Sequence, residues 1–170
     1  MQFSIITIFV SIASLASALP AIVPRQDVQA IANAQNAWAH DTSVVSQFLG
    51  AATSLTGADL TNAAQIALDA EKDELTHKAV LDAKFGTDSR IISANTILVT
   101  EGTFQLVVNN LANLAQNGAT MSVGEVQGII ENTNADRCGK VLPAIDQYFQ
   151  VSGDFLNNGA ILEATIPVNC

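Results

Sequence analysis

Ten residues hold the densest set of reactive side chains in this sequence: Asp69-Ala-Glu71-Lys72-Asp73-Glu74-Leu-Thr-His77-Lys78. On an α-helix Glu74 and His77 stand three apart and Asp73 and His77 four apart, and both spacings bring side chains to one face. Glu-x-x-His is half of the pattern with which helical bundles hold a pair of metal ions. The full pattern needs it on two helices and a Glu from each of two more. Here it occurs once. Asp73, Glu74 and His77 are therefore the candidate metal ligands, and His40, Asp41 and Glu101 are the groups a fold would have to bring to them. The simpler alternative is a solvated face on which Glu74–Lys78 and Asp73–His77 pair, each contributing a few tenths of a kcal/mol.

Other chemistries find less to work with. There is no G-x-S-x-G elbow for a nucleophilic serine. A Ser-His-Asp triad would have to use His40 or His77, both beside charges in helical stretches. Sixteen acids would permit a carboxylate pair, but one Trp and one Tyr make a poor platform for a sugar. The expectation is a non-enzymatic chain that needs no cofactor.

The elements that would position these groups are helical throughout. From Asp27, the residues Ile31, Trp38, Val45 and Ala52 recur every seven positions, with Ala34 and Phe48 at the offset places. Asp41 falls on this stripe, so Asp41-Thr42-Ser43 marks a kink or a polar contact inside a bundle. Thr56-Gly-Ala-Asp59 has the form of a capping box and opens a second helix to about Phe85, with Gly86 as a stop. A third helix starts near Asp88 and carries Ile97, Phe104 and Leu111 on one stripe, ending at Asn117-Gly118. Ser122-Val-Gly-Glu125 is another capping box, and 132–136 breaks the helix behind it. Cys138, Leu142, Ile145 and Phe149 share a last face, and Pro143 inside that run either kinks it or confines its regular part to the C-terminal side. Asn157-Asn158-Gly159 stops it, and 160–170 reads as an extended tail. No alternation of strand type is sustained. The pattern predicts an all-α bundle of four to five mostly antiparallel helices, since the connections are short.

Asp41 and Glu101 each interrupt an apolar stripe, and a buried charge needs a partner. Arg90, Arg137 and His40 are available. One arrangement that accommodates them is an amphipathic pocket for a fatty acid or similar lipid, walled by Trp38, Phe48 and Phe104 with Asp41 and Glu101 as polar anchors. The alternative is plain core with a partly wet bundle end.

Residues 1–18 set the compartment. An apolar run from Phe3 to Ala13 is followed by Ala16-Ser17-Ala18, a secretory leader with its A-x-A cleavage signal. It is too short for a membrane span of about 20 residues. Residues 19–25, ending at Pro24-Arg25, read as a short pro-segment, leaving 26–170 as a single domain. The net charge of −9 resides outside the leader and excludes binding to phosphate backbones or anionic membranes. Cys138 and Cys170 are the only cysteines, and in a secreted chain they pair. The bridge closes a loop of about thirty residues, a constraint of roughly 3–4 kcal/mol. It pins the tail. No N-glycosylation sequon is present.

Three stretches, Asp27-Val-Gln-Ala-Ile-Ala-Asn-Ala-Gln35, Glu74-Leu-Thr-His-Lys-Ala-Val-Leu-Asp82 and Ala135-Asp-Arg-Cys-Gly-Lys-Val-Leu-Pro-Ala-Ile-Asp146, together with the leader and Cys170, resemble small secreted proteins of filamentous ascomycete fungi. In size and helical content the chain is also similar to the hydrophobic surface-binding and cell-wall galactomannoprotein group. The resemblance implies a protein at or outside the cell wall that engages an apolar small molecule or a hydrophobic surface. An effector or elicitor acting on a host protein fits the same features, and a metal-binding bundle around Glu74 and His77 is the third reading.

Overall fold

The structure is a computed structural model that describes residues 25–157 and 162–170. The leader at 1–18 and the segment 19–24 lie outside the described residues. The fold is an all-α bundle. Helix α1 spans Arg25–Ala51, α2 Gly57–Phe85, α3 Ser89–Asn95, α4 Thr103–Asn117, α5 Val123–Asp136 and α6 Leu142–Leu156. Two wide π-helical turns are built into it, Thr96–Thr100 after α3 and Arg137–Val141 between α5 and α6. Among the described residues no strand forms, and no single helix is long and apolar enough to cross a membrane.

Helices α1 and α2 form the long hairpin that frames the site. Ile31 lies by Val80, and Asp41 by Asp69 and Asp73, so the two run antiparallel. The stripe is buried as its spacing requires: Ile31, Ala34, Trp38, Val45 and Phe48 on α1, and Ala52 just beyond its end, all belong to the core. Helix α1 runs unbroken through Asp41-Thr42-Ser43. Thr42, and Ser46 one turn on, hold the tail of the chain. Thr42 Oγ1 accepts the backbone N–H of Thr165, and Ser46 Oγ donates to the carbonyl of Thr165. Asn169 Nδ2 reaches the Leu49 carbonyl at 3.0 Å, and Asp146 Oδ1 takes the Ala164 N–H at 2.7 Å. The tail therefore lies across α1 and α6, and the Cys138–Cys170 disulfide fastens it. It packs so closely that a Cβ at Gly50 would meet Val168 Cγ2 at 3.0 Å.

Several helix ends differ from the sequence reading. The Thr56 side chain makes no cap hydrogen bond, and Gly86 stays right-handed at φ −58°. The third helix is not continuous. Gly102 adopts φ 74° between the first π turn and α4, a left-handed turn that glycine takes without the usual steric penalty. Residues 132–136 do not break α5, because the π turn carries the chain onward into α6 with Pro143 in its first turn, where the missing N–H costs nothing. The Ser122–Glu125 capping box forms as expected, and Asn157 ends α6 in the left-handed region at φ 47°. Asn158 and Gly159 lie outside the described residues.

Candidate functional site

The α1–α2 hairpin carries chemistry at two depths. On α2 the series Leu60, Ala64, Ala67, Glu71, Glu74, Lys78, Leu81 steps by four and three, and all seven residues are buried. The helix thus turns charge inward along the stripe that its first half fills with aliphatic groups. From α1, Trp38 Nε1 donates to Glu74 Oε2 at 2.8 Å. From the second π turn, Arg137 donates through Nη1 to Glu71 Oε2 at 2.8 Å and through Nη2 to Glu74 Oε1 at 3.5 Å. Trp38, Glu71, Glu74 and Arg137 are all fully buried.

One guanidinium faces two carboxylates. Burial pushes both carboxyl groups up, and Glu74 rises well above its ordinary range because Glu71 adds repulsion, while Arg137 opposes the shift at each. Glu71 Oε1 and Arg137 Nε have no hydrogen-bond partner. Trp38 packs its ring 5.1 Å from Tyr148 and 5.8 Å from Phe149. Further along α2, Lys78 Nζ donates to Asp82 and Asn95, each at 2.6 Å, and the Tyr148 hydroxyl donates to Asp82 at 2.7 Å. Burial, reinforced by Asp82, holds the Tyr148 phenol protonated far above its usual range.

The outer level lies toward the solvent. His77 Nε2 is 3.2 Å from Asp41 Oδ2 and 3.5 Å from Asp73 Oδ2. His40 Nδ1 is 3.6 Å from Asp41 Oδ1, with the His40 side chain exposed. Asp41 Oδ2 is buried and accepts no aligned hydrogen bond. Burial pushes the Asp41 carboxyl up, and His77 partly offsets it. An open cleft of about 520 Å³, lined by Asp41, Asp69, Lys72, Asp73 and Thr76, gives access from solvent.

The candidate metal ligands are divided by this arrangement. Asp73 and His77 meet as their spacing requires, but the Glu74 carboxylate turns inward to Trp38 and Arg137. Asp41 takes the third place. Lys78 pairs with Asp82, not with Glu74. The candidate ligand-binding residues are dispersed as well. Trp38, Phe48 and Phe104 are packed in the common core, and none of them lines the clefts described on the surface. Glu101 is exposed, 4.0 Å from Lys140 Nζ, and Asp41 belongs to the outer cluster. Arg90 is engaged by Asp88 and Asp154.

The sequence pattern alone does not single out Glu71, and it offers Arg137 only as a partner for Asp41 or Glu101. The signal for both was present in the four-three register of α2, where acids occupy core places and so demand a buried cation. A further open groove of about 600 Å³ runs beside the disulfide, lined by Thr53, Gln127, Ile130, Glu131, Asn134 and Asn169 among others. Compared with known proteins, the chain matches no family model, no curated protein and no solved structure at a significant level.

Proposed function

We propose that this chain is a secreted, non-enzymatic binding protein that acts from its outer surface on an apolar surface or a partner outside the cell, as opposed to carrying a lipid within. The observation that carries this reading is the packing where α6 and the second π turn meet the hairpin, at which Trp38, Tyr148, Phe149 and Arg137 are each fully buried. A fatty-acid chain would have to displace those rings and the ion pairs beneath them. Several large aliphatic side chains instead face outward, among them Ile66, Ile92, Val99, Val123 and Ile166, each more than half exposed. The leader, the disulfide and the resemblance to small secreted fungal proteins support the compartment.

Trp38 is the only tryptophan, so its fluorescence reports on the interior directly. Titration with a fluorescent fatty acid should show no saturable binding at micromolar protein and no change in Trp38 emission, while the protein adsorbs to hydrophobic beads. Stoichiometric uptake with a shifted Trp38 spectrum would overturn the reading. A second reading, action on a host protein, is favoured by the amide-lined groove at the disulfide. It predicts loss of the host response when Gln127 and Glu131 are replaced by Ala, with bead adsorption unchanged.

A further inference from the structure

We propose that Asp41, Asp73 and His77 form a binding site for a divalent transition-metal ion, for which Zn²⁺ is the probe. One ligand atom from each of the three residues lies within 4.8 Å of the others. A tetrahedral ion with bonds of about 2.0–2.1 Å holds its ligand atoms about 3.3 Å apart. His77 Nε2 stands 3.2 Å from Asp41 Oδ2 and 3.5 Å from Asp73 Oδ2, so two edges of that figure are already set.

The second argument is the state of Asp41. The residue is only 9% exposed, and its Oδ2 has no hydrogen-bond partner although His77 Nε2 is close. A buried carboxylate oxygen left without a donor is costly, and a cation placed between it, Asp73 and the imidazole would satisfy it. The inner level shows the complement: there two carboxylates converge on a cation that the chain supplies, Arg137. His40 Nδ1 lies 3.6 Å from the other oxygen, Asp41 Oδ1, with its ring exposed. Asp73 and His77 sit one turn apart on α2, and Asp41 reaches across from α1, so the ligands stand on rigid elements. The cleft over Asp41 and Asp73 provides the path for the ion. One imidazole with two carboxylates suits Zn²⁺ and its first-row neighbours. Ca²⁺ and Mg²⁺ require six or more oxygen ligands or water in their place.

Calorimetric titration of the purified protein with Zn²⁺, after treatment with chelator, tests the site. One equivalent should bind with micromolar affinity. Asp73→Asn and His77→Gln should each weaken binding at least tenfold while leaving the helical spectrum intact, since Asp73 is largely exposed and His77 lies at the rim. Asp69→Asn, which removes an acid from the same cleft but not from the trio, should leave affinity within twofold. Absence of saturable binding in the unaltered protein would overturn the proposal. So would binding that survives both Asp73→Asn and His77→Gln, or an Asp69→Asn variant as weak as Asp73→Asn, which would indicate diffuse acidic attraction.

Discussion

The inner and outer levels of the α1–α2 hairpin are built from similar groups and reach opposite electrostatic solutions. Inside, Glu71 and Glu74 face Arg137, and Trp38 supplies a further donor. Outside, Asp41 and Asp73 face imidazoles, and an oxygen of Asp41 goes without a hydrogen bond. The inner carboxylates face a cation that the chain itself supplies, although Glu71 Oε1 and Arg137 Nε still lack hydrogen-bond partners. The outer ones are left to solvent, protons or an ion. Burial thus does not by itself distinguish structure from function here. The source of the compensating charge does.

The comparison can be broken most severely at Arg137. Arg137→Met leaves two buried carboxylates without their cation and should cost about 3–5 kcal/mol, read as a fall in the urea midpoint. Replacing Glu71 and Glu74 by Leu in the same variant should recover most of that loss, because the desolvated charges go together. Removing the bridge with Cys138→Ser and Cys170→Ser should cost roughly 3–4 kcal/mol and expose the tail to protease while α2 keeps its hydrogen-exchange protection. Trp38→Phe preserves the aromatic packing but withdraws the donor from Glu74 Oε2, and should cost about 1–3 kcal/mol by chemical denaturation.

A change of pH sharpens the comparison without any mutation. The folded-state values of Glu71 and Glu74 are raised by burial. Their contribution to stability is therefore fully present below the unfolded carboxylate value and is lost as pH rises through the raised folded values. In the presence of chelator the urea midpoint should be higher at pH 5 than at pH 7, and Glu74→Gln should flatten that difference. If Glu74→Gln leaves the pH dependence unchanged, the inner carboxylates are not its source. The smallest effect belongs to the outer level and has the opposite sign. Asp41→Asn removes a buried charge that the fold does not complete, and should stabilise the metal-free protein by on the order of 0.5 kcal/mol.

Much of this arrangement was legible in the sequence. The seven-residue recurrence from Ile31 to Ala52 defined the buried face of α1, and the Ser122–Glu125 cap and the Cys138–Cys170 bridge followed from local pattern and cysteine count. What escaped was information that resides in another part of the chain. Glu71 and Glu74 look solvated when α2 is considered alone, and only Arg137, more than sixty residues away, makes their burial tolerable. The break at Gly102 was hidden because Ile97, Phe104 and Leu111 keep a helical period on both sides of it. Residues 132–136 looked like a stop because Asn and Asp favour turns, yet the π turn absorbs them. The trio at the outer level needed α1 and α2 in register before Asp41 could be placed beside His77.

The wide turn at Arg137–Val141 gives the fold a mechanical property of its own. It sets two neighbours to unrelated tasks, Arg137 toward α2 and Cys138 toward the tail. Such a turn amounts to one residue inserted into ordinary helix, and each residue of helix advances the rotation by about 100°. The segment therefore works as a clutch: excising Gly139 would ratchet α5 against α6 by that angle, so that the guanidinium and the bridging sulfur could no longer be engaged at once.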